Sequence, residues 1–439
     1  MKVRHTKGIT VWGGRNIALV LASVFTWSLM GGQVAIAEPK RVARVAIGSA
    51  GEIAVNPVTA RAYVESGDGV EVLDLVSNKL VARLWPGDGV ADVAIDKNAN
   101  RLYVNASNRV VVYDGATNAK VATIASEDGG SGLYCIAVNS TTGRVYVTNL
   151  YLGTLLVIDG ATNSVLTSIN LGAYAVDVAV NEATNRVFVT VRNERNSVIV
   201  IDGATNQILG SVSLGEPQGW RDFYLAVDER TNRLFAASYS YFSVKAVDIA
   251  NMRLDATIPI GGRPIGVAVN PETGRVYAGA LDWNWPDKPN HLVTIDQSTN
   301  KVLTKTVFGG SPTIVEVYGP AFRVLVTADS EVQIFTEDPD PPTLLITTPS
   351  PSVISARSLI TGTVNDDLSG VKQVEVTFAG AGLSVSRLAT LTCSTPARLS
   401  CTWQTPAPDL PGPYAVRAWT VDRAGSSEDI GKIAVVTVV

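Results

Sequence analysis

Seven short apolar stretches, each opened by an arginine, recur along this chain at nearly constant spacing. The arginines are 40, 43, 42, 47, 42 and 48 residues apart, and a unit contains four short apolar runs. A period of this length is typical of a β-propeller, in which each four-stranded blade buries its faces only against its neighbours. The repeat therefore predicts an all-β fold with a seven-bladed β-propeller. The arginines are Arg61, Arg101, Arg144, Arg186, Arg233, Arg275 and Arg323.

Loop lengths vary at one end of the unit only. The arginine always stands five positions after the end of the first strand, as Arg61 does after Asn56, and the turn after the third strand also has a fixed length. All insertions therefore lie at the opposite end, where we expect the ligand-binding face. At the constant end the arginine and the Asp that closes the third strand stand on adjacent strands. We expect these side chains to pair, from Arg61 with Asp74 to Arg275 with Asp296.

The N-terminus has the features of an export signal. Four basic and no acidic residues precede position 38, an apolar run covers residues 17–30, and Ala35-Ile36-Ala37 forms a small-x-small cleavage site. We interpret residues 1–37 as a signal peptide, with no membrane span after cleavage and a periplasmic or secreted bacterial product. The mature chain would carry 32 basic and 40 acidic residues, a net charge of −8.

The cysteines agree with export. Cys393 and Cys401 lie eight residues apart on two strand-like runs joined by a Ser-Thr-Pro turn, which predicts a disulfide across a hairpin. Cys135 lies on the first strand of a unit, and we expect a buried, unreactive thiol there.

The two ends of the repeat array are predicted to meet. The seventh unit has no fourth strand, whereas residues 39–48 (PKRVARVAIG) look like the fourth strand of the first full unit (NKLVARLWPG). The N-terminal strand is therefore expected to complete the last blade and remove an open sheet edge. This places the propeller at residues 38–338, a stiff Pro-rich linker at 339–342 and a second all-β domain at 343–439.

The unit resembles the YVTN family of β-propeller repeats, and Tyr146-Val147-Thr148-Asn149 carries the literal motif. The resemblance covers roughly residues 38–338 and implies the scaffold, not an activity. The passages ITGTVNDDLSGVKQVEVTF and PGPYAVRAWTVDRAGS resemble bacterial Ig-like domains, which implies a C-terminal β-sandwich. There Asp366, Asp367 and Asp422 are either turn residues or oxygen ligands of a Ca²⁺ ion. No other cofactor is expected.

Acidic residues are predicted at the propeller axis. Four residues before the end of each first strand stand Glu52, Asp92, Cys135, Asp177, Tyr224, Gly266 and Ile314. Glu52, Asp92 and Asp177 would either coordinate a hard cation at the channel mouth or line a wet, acidic pore.

Aromatic residues concentrate in the inserted loops of units four to six. Such residues beside charged groups suit sugar stacking or peptide anchoring, although the longest loop would equally serve as a packed lid. Neighbouring loops at the same end add Tyr151, Tyr174, Glu194 and Arg195. The predicted ligand-binding residues are Trp220, Arg221, Tyr239, Tyr241, Trp283, Trp285, Arg192 and Arg263.

The sequence favours a non-enzymatic binding scaffold for a glycan, peptide or protein. The mature chain has one histidine, His291, and no CxxC, P-loop or GxSxG motif, which excludes multi-histidine metal centres and the common nucleophile arrangements. The alternative is a cation-dependent lyase or lactonase-like enzyme at the channel mouth. A further alternative, nucleic-acid binding, is opposed by the net charge of −8.

Overall fold

The computed structural model describes most of the chain after the predicted signal peptide. The described residues are 38–67, 69–87, 89–126, 132–215, 223–282, 289–338, 342–347, 353–366, 369–380, 383–394, 400–424 and 427–438. They contain no α-helix, and only two 3-10 turns, at Tyr239–Tyr241 and Gly319–Ala321, interrupt the strands and loops. No helix within these ranges is long and apolar enough to cross a membrane. The predicted signal peptide, residues 1–37, lies outside them.

Residues 40–336 form seven four-stranded antiparallel sheets, one for each repeat, here called sheets 1 to 7 in chain order. Sheets 1 and 2 consist of β2 (Ile53–Asn56), β3 (Arg61–Ser66), β4 (Gly69–Asp74), β5 (Lys79–Leu84), β6 (Val90–Asp96), β7 (Arg101–Ala106), β8 (Arg109–Asp114) and β9 (Lys120–Ala125). Sheets 3 and 4 consist of β10 (Leu133–Asn139), β11 (Arg144–Asn149), β12 (Thr154–Asp159), β13 (Ser164–Asn170), β14 (Tyr174–Asn181), β15 (Arg186–Arg192), β16 (Ser197–Asp202) and β17 (Ile208–Ser213).

The remaining sheets of this region follow the same order. Sheets 5 and 6 consist of β18 (Phe223–Asp228), β19 (Arg233–Ser238), β20 (Ser243–Asp248), β21 (Arg253–Pro259), β22 (Arg263–Asn270), β23 (Arg275–Leu281), β24 (Asn290–Asp296) and β25 (Lys301–Phe308). Sheet 7 consists of β26 (Pro312–Tyr318), β27 (Arg323–Ala328), β28 (Glu331–Thr336) and the N-terminal strand β1 (Lys40–Ala46). β1 pairs antiparallel with β28, as the sequence predicted.

The sheets follow one another in a closed ring. Each first strand contacts the first strand of the next sheet, and β26 of sheet 7 contacts β2 of sheet 1. A buried apolar cluster fills every gap between neighbouring sheets, including the gap between sheets 7 and 1. This arrangement is that of a β-propeller, and it explains why both faces of strands such as VIVI in β16 are apolar.

Arginine ties six of the seven sheets to the next sheet at the constant end. Arg61 donates from Nη1 to the main-chain carbonyl of Gly115 in sheet 2 at 2.8 Å, and Arg101 makes the corresponding bond to Gly160 in sheet 3. Arg323 of sheet 7 donates to Leu75 of sheet 1, so the series runs around the ring. The further bonds of this series are Arg144 to Gly203, Arg233 to Gln297 and Arg275 to Glu337.

The expected Arg–Asp side-chain pair is therefore wrong as a rule, although the strand register behind it is right. Arg61 lies opposite Asp74, and the same holds in every sheet up to Arg275 opposite Asp296. Of the six described Arg–Asp positions in this series, only Arg186 and Asp202 form an ion pair, at 2.5 Å. The carbonyl that Arg186 would reach in sheet 5, that of Ile249, instead accepts the amide of Met252.

Residues 343–438 form two further sheets around a separate core that includes Phe378, Trp403 and Tyr414. The first consists of β29 (Thr343–Ile346), β31 (Leu359–Asn365), β35 (Ser400–Pro406) and β34 (Thr390–Cys393). The second consists of β30 (Val353–Ile354), β37 (Ser427–Val438), β36 (Gly412–Asp422), β32 (Val371–Gly380) and β33 (Leu383–Leu388). The predicted disulfide between Cys393 and Cys401 is confirmed and joins β34 to β35.

This second region contacts the constant end of the ring. Arg423 donates to Glu272 at 2.8 Å, and its guanidinium lies 5.2 Å from the ring centre of Phe322. The amide of Ser369 donates to the carboxylate of Asp338 at 2.7 Å. The loops that carry the insertions are at the other end of the sheets.

We predict that Arg61→Ala destabilises the ring more than Arg186→Ala. Loss of a hydrogen bond from a charged group costs about 1.5–3 kcal/mol, whereas a partly exposed ion pair is worth about 0–1 kcal/mol. Chemical denaturation of both variants measures the two losses. Equal losses would mean that the bond between sheets contributes no more than the pair within sheet 4.

Candidate functional site

A cavity of about 260 Å³ lies where the first strands of all seven sheets converge. The seven positions that the sequence placed at the axis all line it, from Glu52 in sheet 1 to Ile314 in sheet 7. Glu316 lines it as well, and no Lys, Arg or His is among the described residues of its wall. The cavity is therefore acidic.

Two of these acids hold neighbouring sheets together. The Asp92 carboxylate accepts the amide of Val93 at 2.7 Å and, with its other oxygen, the amide of Ile136 in sheet 3 at 2.8 Å. Asp177 does the same with Val178 at 2.7 Å and Leu225 of sheet 5 at 2.6 Å. Both carboxylates thus satisfy main-chain amides near the axis, which is a structural task.

Burial favours the protonated form of the axial acids. It raises the pKa of the Asp92 carboxyl to about 8 and that of Glu316 to about 7. The pKa of Glu52 is raised well above its usual range by burial first and by the nearby Asp92 and Asp177 second. A proton competes with a metal ion for the same oxygen, so these values weaken cation binding at neutral pH.

Cys135 and Glu316 modify the sequence interpretation of the axis. Cys135 is a partly buried cysteine outside the disulfide, and it packs against the core between sheets 3 and 4 and also lines the cavity. Glu316 was missed, although it stands two residues after Ile314 on the same strand. Alternation along β26 puts both on one face, and that signal was available in the sequence.

A tight carboxylate group lies away from the axis. Asp338, Asp366 and Asp422 are buried, and one oxygen of each lies within 4.8 Å of the others. Oxygens at this separation suit one Ca²⁺ ion with bonds of about 2.3–2.6 Å. Asp338 takes the place that the sequence gave to Asp367, which lies outside the described residues. The choice between turn residues and Ca²⁺ ligands stays open, as does cation binding by Glu52, Asp92 and Asp177.

Near sheets 5 and 6, three of the predicted ligand-binding residues lie at the insertion-bearing end. Arg263 donates to the Tyr239 hydroxyl at 3.2 Å, and its guanidinium lies 5.0 Å from the Tyr239 ring centre and 5.5 Å from that of Phe242. Tyr241 belongs to the 3-10 turn between β19 and β20. Arg263 is thus fixed by protein groups. Four other predicted residues, Trp220, Arg221, Trp283 and Trp285, lie outside the described residues.

A groove of about 490 Å³ opens between sheets 3 and 4 at the same end. Arg192 lines it, together with Asn193, Glu194 and two tyrosines. Tyr151 is 68% exposed and Tyr174 is 54% exposed, so much of each ring is available to a ligand. We call this feature the tyrosine groove. Arg192 and Arg263 therefore have different neighbourhoods.

Sequence reasoning gave no attention to Trp85, which is 63% exposed after the outermost strand of sheet 1. The guanidinium of Arg83 lies 4.4 Å from its ring centre. The sequence shows Trp85 as an aromatic residue in the connection between two units. It was not selected because that connection carries no insertion.

No protein-family model matches the chain, and no curated protein matches it by sequence. Among solved structures the chain is similar to Kuenenia stuttgartiensis hydrazine synthase, with a TM-score of 0.57 and 15% identity over 66% of this chain and 95% of that chain. Identity at this level shows a shared fold and carries no activity across. Membership of the YVTN family stays a prediction.

The axial acids predict that the ring is more stable in mild acid than in mild base. A raised carboxyl pKa means that the folded state binds more protons than the unfolded state. The stability that these protonated carboxyls contribute is complete below pH about 4, and it is lost as the pH rises through the folded-state pKa values of about 7 to 8. The melting temperature should therefore fall between pH 5 and 9.

Glu316→Gln should flatten that fall around pH 5–7, because it removes one of the titrating groups. Asp114→Asn is the matched control, since hydrogen bonds from the Thr117 amide and hydroxyl lower the pKa of Asp114. A pH profile unchanged by Glu316→Gln would show that this carboxyl does not titrate in the range.

Proposed function

We propose that this protein is an exported, non-enzymatic binding scaffold that holds a glycan, peptide or protein on its insertion-bearing loop face. The observation that carries the proposal is that the longer loops and the exposed tyrosines lie at the same end of the sheets. The constant end is tied by repeated hydrogen bonds, whereas the opposite end carries the insertions, the tyrosine groove and the Arg263–Tyr239 contact. Loops on a rigid scaffold are where binding residues concentrate.

The proposal includes the full architecture. The seven sheets are the blades of a seven-bladed propeller closed by β1, and residues 343–439 are an Ig-like β-sandwich. Supporting the sandwich, Tyr414 near the start of β36 donates its hydroxyl to the carbonyl of Leu410 at 2.9 Å, which matches the tyrosine corner of Ig-like domains. Export is supported by the disulfide and by the N-terminal signal pattern.

The second candidate is a cation-dependent lyase or lactonase-like enzyme at the axial cavity. It is favoured by one observation, that Glu52, Asp92 and Asp177 line the same cavity. It is opposed by the hydrogen bonds that Asp92 and Asp177 already make to amides of neighbouring sheets. Metal analysis of the purified protein separates the two: we expect no stoichiometric cation that is lost with Glu52→Gln, and finding one would favour the enzyme.

Nucleic-acid binding has less support. It would require Arg192, Arg195, Arg221 and Arg263 to act as one basic patch. Arg192 instead shares its groove with Glu194, and Arg263 contacts Tyr239.

The binding scaffold is tested by screening the full chain on glycan and peptide arrays and then measuring affinity for a hit with loop variants. Trp220→Ala and Trp283→Ala should each cost about 2 kcal/mol of binding if they are anchors. Asn163→Ala is the control, because Asn163 has a left-handed φ of 54° in a turn at the constant end and should change stability rather than affinity. Equal affinity of all three variants would place the ligand elsewhere.

A further inference from the structure

The loop that carries Tyr151 is rigid. The amides of Leu152 and Gly153 donate to the side-chain and main-chain oxygens of Asn149 at 3.1 and 3.0 Å, and the amide of Leu150 donates to Gly132 at 2.8 Å. A Cβ on Gly132 would lie 2.9 Å from Cδ2 of Tyr151, so the ring rests against bare backbone. The turn therefore fixes the ring before any ligand arrives, which lowers the entropic cost of binding.

The loop before Tyr174 is joined to the first. The amide of Leu171 donates to the carbonyl of Gly153 at 2.9 Å, and a Cβ on Gly153 would lie 2.5 Å from the carbonyl oxygen of Ala173. Tyr174 then begins β14 directly opposite Arg192 on β15. The two tyrosines thus stand on loops in contact and line one groove.

The third side of the groove is polar and equally ordered. Asn193 accepts the amide of Arg195 at 3.2 Å through its side chain and the amide of Asn196 at 3.3 Å through its carbonyl. This turn holds Asn193 and Glu194 next to Arg192 at the groove wall. Amide, carboxylate and guanidinium groups together offer hydrogen-bond donors and acceptors to a ligand.

The chemistry of the groove selects among ligand classes. Arg192 and Glu194 balance in charge, which disfavours a strongly charged ligand such as a nucleic acid. Leu152 is the one aliphatic side chain larger than Ala among the described lining residues, so an apolar peptide anchor would find little to bury against. A sugar ring fits both conditions, because its C–H face stacks on an aromatic ring while its hydroxyls exchange hydrogen bonds with polar groups.

We propose that the tyrosine groove is a saccharide-binding site in which Tyr151 and Tyr174 stack on sugar rings and Glu194 binds the hydroxyls, on a wall that Asn193 orders through bonds to Arg195 and Ser197. The site rests on the proposed binding function and names its ligand class. It also places one ligand beside blades three and four, whereas Arg263 and Tyr239 lie beside blades five and six.

The test is isothermal titration calorimetry of the full chain with cellotriose, maltotriose, chitotriose and mannotriose. We expect at least one trisaccharide to bind, Tyr151→Ala and Tyr174→Ala each to weaken that binding tenfold or more, and Tyr151→Phe to keep it within threefold. Trp85→Ala is the matched control, since it removes an equally exposed ring outside the groove and should leave affinity unchanged. Melting temperatures of all variants establish that they fold.

The outcomes separate this inference from the proposed function. A trisaccharide that binds equally to wild type and to both tyrosine variants overturns the groove and leaves a glycan-binding scaffold standing. Binding of a peptide on the array with no saccharide bound overturns the ligand class alone. A chain that binds neither class overturns both.

Discussion

The hydrogen bond from the arginine of one sheet to a main-chain carbonyl of the next is the interaction on which the rest of the structure depends. It needs a guanidinium at the start of the second strand and a carbonyl turned outward just after the third. The tyrosine two residues later supports it: the hydroxyls of Tyr63 and Tyr103 approach the same carbonyls as Arg61 and Arg101, at 3.5 and 3.4 Å. Both turns must keep their length for these atoms to meet, which leaves variation to the other end.

A repeated sequence predicts the relations within and between its units, but it does not predict contacts that form only when the chain folds. Periodicity and alternation predict strands, register and the closing role of β1, because these are relations within a unit or between similar units. The disulfide outside the repeats was predictable because its two cysteines are eight residues apart on either side of a turn. The pairing of Arg61 with Asp74 failed since adjacency of two Cα atoms does not decide where a long side chain ends. Asp338 was not foreseen as a neighbour of Asp366 and Asp422, because only tertiary folding brings the end of the repeat region to residues far along the chain. The tyrosine groove likewise required knowing that two successive units meet side by side.

Near the axis, side chains of the ring accept hydrogen bonds from main-chain amides of neighbouring sheets. First strands converge there, and amides such as those of Ile136 and Leu225 need acceptors that the neighbouring strand does not supply. Asp92 and Asp177 supply them from the preceding sheet. In the sequence, such a set of carboxylates at equivalent positions looks like a metal or catalytic site. In the structure, the oxygens of Asp92 and Asp177 accept hydrogen bonds from main-chain amides. The proposed recognition site lies at the rim, where Tyr151 stands on a hydrogen-bonded turn.

Closure by β1 also bears on the order of events in the export that we propose for this chain. Arg41 of β1 bonds to Gln333, 292 residues further along the chain. A polypeptide that crosses a membrane N-terminus first delivers β1 at the start and its partner near the end of translocation. During that interval β1 and the open flank of sheet 1 lack the neighbour that the last unit supplies, so the ring closes only after that unit has emerged.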